Sequence, residues 1–362
     1  MNMSEKCKQH VDSCRFCWMC HHICPIGNAT GHERSTPRAR ALGISLVNRD
    51  AIKLEEIMDN IYECAFCEGC VHDCVTGWDP VMFAKEVRLQ AALEGKLPEY
   101  INKMVDNCLD TGNAYGLTDY CDCLKDAKAA HETKTDTLLL LGADATYKAE
   151  AQAVKAIKVL EKAAVTFTTL AAEPATGSQL DFLLGAAEES KAQMINAAKV
   201  MNEYKTVVVY DPLDAKIIKR IYKEYGIEIK ADVKTFTAYV AELVKSGALK
   251  AEKSGKTVVF QDPFELSRVL EETEESREII NAYADLHEML LNRGATVWAG
   301  NILMAEYIPE VIKEVAARRL FNVTSIGEKT IVTASVSEYV SLKNVDQKDV
   351  EILSIEDLIL GE

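Results

Sequence analysis

The sequence predicts an α+β chain in which a small helical part precedes two related α/β units with largely parallel sheets, and three observations carry this expectation. All twelve cysteines lie at or before Cys123, and everything after it contains none. From Thr137 onward, short apolar runs bounded by Gly, Pro or Asp alternate with longer amphipathic stretches, the rhythm of strand and helix on a parallel sheet. The same cycle recurs in the last third of the chain, as an internal duplication would produce.

The elements follow in order. Residues 1–118 combine the cysteine motifs with helical stretches such as 50–62, where Ile52, Leu54, Ile57 and Ile61 repeat at helical spacing. The polar run from Asp122 to Asp136, rich in Lys, Ala and Thr, marks a linker over 119–136. A first α/β unit is expected over 137–253, with strands at 138–141, 165–170 and 207–210. Its helices are expected at 147–164, with Val154, Ile157 and Leu160 on one face, and at 215–225, with Ile217, Ile218 and Ile221. A second unit over 254–362 repeats the pattern with strands at 258–260, 295–298 and 331–333 and helices beginning near Phe264 and Met304. Each unit is about a hundred residues, an ordinary size for one small α/β fold.

Composition narrows the function classes. A chain of 362 residues, 48% hydrophobic, can bury sizeable cores. Its formal charge of -15, without a stripe of Lys and Arg, argues against a nucleic-acid surface. The apolar runs are strand-sized, far short of the about 20 residues a membrane helix needs. The polar start, residues 1–8, lacks the apolar centre of a secretory signal, so a cytoplasmic location is expected. Thiols stay reduced there, and cysteines read as metal ligands or free thiols rather than disulfides.

Eight of the cysteines form two runs of Cys-x-x-Cys-x-x-Cys-x-x-x-Cys, namely Cys14, Cys17, Cys20, Cys24 and Cys64, Cys67, Cys70, Cys74. Three cysteines at i, i+3 and i+6 can wrap one face of a cubane 4Fe-4S cluster, the fourth ligand coming from elsewhere. In two-cluster ferredoxins the fourth cysteine serves the other cluster. That rule predicts Cys14, Cys17, Cys20 and Cys74 on one cluster, and Cys64, Cys67, Cys70 and Cys24 on the other. Zinc, the competing reading, uses paired Cys-x-x-Cys or Cys/His knuckles and needs only four ligands. Pro25 after Cys24 suits the ferredoxin pattern, while Val75 after Cys74 departs from it. His21, His22 and His72 read as partly exposed loop residues, and Cys7, Cys108, Cys121 and Cys123 as free thiols. Gly142, Gly177 and Gly300 belong to no phosphate-binding motif and read as ordinary turns. No Ser/His/Asp set stands out, so no catalytic residue is expected.

Beyond the cysteines, the stretch Gly31, His32, Glu33, Arg34, Ser35, Thr36, Pro37, Arg38, Ala39, Arg40 looks like a Ser/Thr-Pro-Arg-Gly-Arg segment, and Asn113-Ala114-Tyr115-Gly116 looks like Asn-Pro-Tyr-Gly. With these motifs the chain resembles the iron-sulfur subunits of the family of heterodisulfide reductase, anaerobic glycerol-3-phosphate dehydrogenase and glycolate oxidase. That family follows its ferredoxin domain with two cysteine-rich domains carrying Cys-Cys-Gly and Cys-Pro-x-Cys. Here each of those cysteines is replaced. Ala175-Thr176-Gly177 and Asp211-Pro212-Leu213-Asp214 stand in the first copy; Asp262-Pro263-Phe264, Trp298-Ala299-Gly300, Ser335 and Glu338 stand in the second. The resemblance therefore implies two cubane clusters and no non-cubane one, since such a cluster cannot be held without thiolates.

The expected function is an iron-sulfur electron-transfer subunit of a cytoplasmic oxidoreductase in anaerobic metabolism, working as a hetero-oligomer. It relays single electrons between a flavin-containing dehydrogenase or electron-transferring flavoprotein and a second carrier, because a flavin splits a two-electron oxidation into one-electron steps. The alternative is an enzyme whose substrate sits in the cysteine-free α/β units, with Asp211, Asp214 or Glu338 as acids or ligands.

Overall fold

The computed structural model describes residues 3–15, 17–347 and 349–361. The first third is helical. Helix Pro37–Asn48 starts where Thr36 accepts a hydrogen bond from the Ala39 amide and Pro37 occupies the first turn. Helix Pro80–Leu93 starts the same way, with Asp79 capping Val81 and Met82. Both starts leave few amide groups unpaired at a buried helix end. The stretch expected as one helix over 50–62 is a 3₁₀ turn, Leu54–Ile57, followed by helix Met58–Tyr62.

Two parallel sheets follow, so the chain is α+β as expected. Strands β1 (Thr137–Leu140), β2 (Thr206–Val209) and β3 (Asp232–Thr235) lie in the order β1-β2-β3, with Leu138 opposite Val207 and Val207 opposite Val233. Strands β4 (Thr257–Gln261), β5 (Asp285–His287), β6 (Thr330–Thr333) and β7 (Glu351–Ser354) lie in the order β5-β4-β6-β7. Successive side chains of a strand point to opposite faces, and here the two faces serve different cores. Leu138, Leu140, Val207 and Val209 pack with Met194, Ala197 and Met201 of helix Glu188–Met201. Leu139, Leu141 and Val208 face inward, into one core that also holds Val258, Phe260, Val332 and Leu353 of the other sheet. Between the sheets lie helices Glu150–Lys162, Phe236–Lys245, Glu275–Tyr283 and Ile355–Leu360, whose buried residues belong to that same core.

Several expected elements differ. Residues 165–170 contribute only an isolated bridge of Thr168 to Leu138, and 295–298 form no strand but run into the buried Trp298. Strands β3, β5 and β7 were not expected from the sequence; each lies at an edge of its sheet, β3 and β5 largely exposed and β7 with Ile352 and Leu353 buried. The helix expected over 147–164 is two, Ala143–Lys148 and Glu150–Lys162, and that over 215–225 runs from Pro212 to Glu224 through a π turn at Ile217–Ile221. The expected linker contains helix Asp122–Ala129, which buries Leu124 against the inter-sheet core and Lys128 beside it. At its start Cys121 and Cys123, expected as free thiols, are joined in a disulfide. As the N-cap residue, Cys121 turns the chain so that the two Cα atoms lie 5.3 Å apart, within bridging range.

The helical part is fastened to the first α/β unit through Arg88, which has no exposed surface. Its guanidinium donates to the carbonyls of Ile61 at 3.0 Å, Cys64 at 2.8 Å and Phe182 at 2.5 Å. It also lies 4.0 to 4.6 Å from the ring centres of Phe66, Tyr62 and Phe182. Tyr62 adds a hydrogen bond from its hydroxyl to the Leu183 carbonyl at 2.7 Å. Arg88→Met keeps the volume but strands three buried carbonyls, so it is expected to lower unfolding stability by about 3 kcal/mol or more. Arg88→Lys, with a compact ammonium in place of a fork, is expected to recover only part of that. Urea midpoints of the three proteins, prepared anaerobically, check the order.

Candidate functional site

The eight motif cysteines surround two hollows. Cys14, Cys17, Cys20 and Cys74 line one, together with Arg15, Trp18 and Arg38. Cys24, Cys64, Cys67 and Cys70 line the other, with Pro25 and Arg40. The two loops are built alike. Trp18, after Cys17, has φ 67°, and Glu68, after Cys67, has φ 58°. Each is the N-cap of a short helix, Met19–Ile23 or Gly69–His72, that presents the third cysteine of its motif. A left-handed residue other than glycine costs roughly 1–2 kcal/mol, so these turns are held by what the loop must present.

The surroundings favour a bound positive group. Burial pushes the Cys20 and Cys67 thiols up to about 11. Burial and the neighbouring cysteines raise Cys70 well above its ordinary value. Thiols held so high ionise fully only when a cation joins them, as metal ligands do. Arg40 is buried beside this second hollow; burial works to lower its pKa, but Cys64 and Cys24 outweigh that and raise it. Arg268 comes from the second α/β unit and donates to the carbonyls of Cys67, Gly294 and Thr296. The sulfur of Cys24 accepts the Gly27 amide at 3.4 Å and that of Cys74 the Trp78 amide at 3.3 Å. Among the described residues no three His, Cys, Asp or Glu side chains converge to hold a single metal ion. A set of four thiols around a hollow fits the donor set of a cluster larger than one ion.

The histidines stand aside. His21 pairs with Glu33, and His22 and His72 pair with Asp73, each about half exposed. Cys7 and Cys108 are buried free thiols away from both hollows.

The two short motifs have plain mechanical roles. In 31–40, Thr36 and Pro37 start the helix that carries Arg40 to the cysteines, and Arg38 lies 4.4 Å over the Trp18 ring. In 113–116, the Asn113 side chain closes a turn on Leu117 and Tyr115, and the Tyr115 hydroxyl donates to Asp144 at 2.6 Å.

The replaced cysteine positions also meet. In the first α/β unit the Thr176 hydroxyl donates to Asp214 at 2.5 Å, and Ala175, Thr176, Gly177 and Asp214 line a polar cavity of about 60 Å³. Gly142 is more than a turn: a Cβ there would fall 2.4 Å from Oδ2 of Asp214, and its φ is 88°. The cavity opens at the C-terminal ends of β1 and β2, where parallel sheets place ligands. Burial raises Asp214 to about 6, and burial with Asp144 and Asp214 raises Asp211 well above the carboxylate range. Lys128, Glu173 and Thr146 share this wall and were not expected from the sequence. The available signal was Lys128 four residues after Leu124, on the apolar face of its helix.

In the second unit the corresponding positions are filled. Trp298 is 1% exposed, and Phe264 is buried under Lys216. Asp262 is held by Arg277 at 2.7 and 2.9 Å. Glu338 accepts from the Ala299 amide at 3.0 Å and from Gln261 at 2.9 Å, while Gln261 in turn accepts from Arg319.

Two chains of the same type are similar to this one. The D subunit of dihydromethanophenazine:CoB--CoM heterodisulfide reductase from Methanosarcina acetivorans is 26% identical over 71% of this chain and 69% of its own. The same subunit from Methanosarcina mazei is also 26% identical, with the same coverage. The chain thus resembles the D subunits of heterodisulfide reductase. No protein-family model matches the chain. A solved structure of a hypothetical protein from Helicobacter pylori covers 99% of this chain and 72% of its own, at 11% identity and a TM-score of 0.48. Among the described residues no helix is long and apolar enough to cross a membrane.

Burial pushes Glu338 up from 4.5 to about 8, so the folded protein holds a proton there that the unfolded chain has lost. Its contribution to stability therefore falls as pH rises between about 4.5 and about 8. Glu338→Gln is expected to flatten that slope and to exceed the parent in stability above pH 8 by at least about 1 kcal/mol, with no gain below pH 4.5. Urea unfolding across this range checks it.

Proposed function

We propose that the chain is an electron-transfer subunit of an oxidoreductase complex and holds two 4Fe-4S clusters. Cys14, Cys17, Cys20 and Cys74 would hold one, and Cys24, Cys64, Cys67 and Cys70 the other. The observation that carries this reading is the lining of the two hollows, each by four thiols, with the fourth cysteine of each run facing the other run's hollow. A 4Fe-4S cluster supplies a one-electron carrier. The chain supplies the thiolates, the amides of Gly27 and Trp78, and the positive charge of Arg40 that stabilises thiolate beside it. The similarity to reductase D subunits supports a role inside a larger complex.

The replaced positions support a chain without a non-cubane cluster, because Asp and Glu oxygens are hard donors and iron–sulfur sites need soft thiolates. The partner we propose is a flavoprotein, docking where Trp18, Met19 and Val75 expose apolar surface around the first hollow, at 49%, 43% and 82%. Apolar and aromatic side chains of this kind anchor protein interfaces.

Anaerobically purified protein is expected to contain about eight iron and eight acid-labile sulfides per chain, measured by chemical assay. A colourless, zinc-loaded chain overturns the proposal. Cys24→Ser tests the ligand sets: paramagnetic resonance is expected to lose or alter the signal of the cluster on Cys64, Cys67 and Cys70 and to keep the other. The reverse result refutes the crossed sets.

A further inference from the structure

The bridge between Cys121 and Cys123 lies apart from the motif cysteines. Cys121 packs against the core between the two sheets, whereas the buried and half-buried motif cysteines belong to the core of the helical part. Only Asp122 separates the bridged residues, and cross-linking so short a loop restricts the unfolded chain very little. The helix that begins here, Asp122–Ala129, is fastened by other means. Leu124 is buried, Lys128 pairs with Glu173 at 3.1 Å, and the Lys128 carbonyl accepts the Thr169 hydroxyl at 2.7 Å. The Cys121 amide donates to Glu150 at 2.8 Å. The segment therefore keeps its place whether the bridge is closed or open.

The two sulfurs have unlike surroundings. Cys123 is exposed on the first turn of the helix. Cys121 is half-buried, and its sulfur accepts the Leu124 amide at 3.3 Å. An amide directed at a sulfur favours its thiolate, and the better-stabilised thiolate is the better leaving group. The nearby carboxylates Asp119 and Asp122 are exposed and share Lys125, at 2.8 and 3.3 Å, so they oppose that thiolate only weakly.

We propose that Cys121 and Cys123 form a thiol-disulfide exchange centre that takes two electrons from a dithiol, with Cys123 the sulfur attacked and Cys121 the leaving group. A donor thiolate bonds to the Cys123 sulfur, the bridge breaks, and Cys121 departs as a thiolate that takes a proton from water. The donor's second thiol loses its proton and attacks the donor sulfur of the mixed disulfide, and Cys123 leaves and is protonated. The donor ends as a disulfide and the chain as two thiols, so two electrons and two protons have moved. This exchange does not rest on the iron–sulfur reading.

The test uses the full, folded, anaerobically prepared chain. Dithiothreitol and a reduced thioredoxin-fold protein are supplied at equal dithiol concentration, and alkylation followed by peptide mass spectrometry reads the state of each cysteine. At least one donor is expected to open the bridge completely, the faster one telling a small donor from a protein, and oxidised glutathione to close it again with the other cysteines unaltered. With 2-mercaptoethanol and an acid quench, the trapped mixed disulfide is expected on Cys123 about tenfold or more over Cys121. The double variant Cys121→Ser, Cys123→Ser is expected to keep the parent's urea midpoint. A bridge that opens only in urea, thiols that oxidised glutathione fails to join, a mixed disulfide chiefly on Cys121, or a lowered midpoint in the double variant overturns the proposal.

Discussion

The structure depends on a positive charge buried without a carboxylate. Arg88 donates through its two terminal nitrogens to three carbonyls and lies against three aromatic faces, and the carbonyls belong to the first cysteine of the second motif, the helix before it and the helix Ser178–Leu184 of the first α/β unit. Because a guanidinium is rigid and planar, fixing its donors fixes the relative positions of all three. The loop of Cys64 is therefore set by the α/β scaffold rather than by local sequence. Arg268 does the same from the second unit, through the carbonyl of Cys67. Both α/β units thus hold the backbone of the same cysteine loop, although their own cysteines are gone.

Much of the fold was legible because its central strands are apolar runs. Val207–Val209 and Val258–Phe260 announce β2 and β4, each paired on both sides. The unread strands β3, β5 and β7 are edges; in β3 and β5 the sequences DVKT and DLH carry charges that interrupt the apolar signal, and β7 offers only the short apolar pair Ile352 and Leu353. Charge on an edge protects it from pairing with another chain, and the same charge hides it from a hydrophobicity pattern. The opposite error arose at 165–170 and 295–298, where apolar residues fill a core without a strand partner. Trp298 is buried by packing with Phe264 and the helical part, which periodicity cannot reveal.

Within the site, cysteine spacing carried most of the information, since the three-residue step already places sulfurs on one side of a turn. The Cys121–Cys123 bridge was not legible, because it depends on the N-cap turn of a helix in a stretch that looked like linker. Lys128, Glu173 and Thr146 were invisible for a related reason. They come from separate elements, and only the closing of the fold brings them to one wall.

The two α/β units have met the loss of their cysteines in opposite ways, and this bears on how readily each could turn back. In the first, the small side chains of Ala175 and Thr176 line the cavity beside Asp214, so thiols placed at 175, 176 and 214 would border its space. In the second, an indole and a phenyl ring occupy the centre, and Gly300 is closed in by Ser341 at 2.8 Å and Ile312 at 3.0 Å from where its Cβ would lie. Restoring thiols there would require emptying a packed core first. The first unit keeps a polar cavity at its strand ends, whereas the second fills the corresponding place with packed side chains.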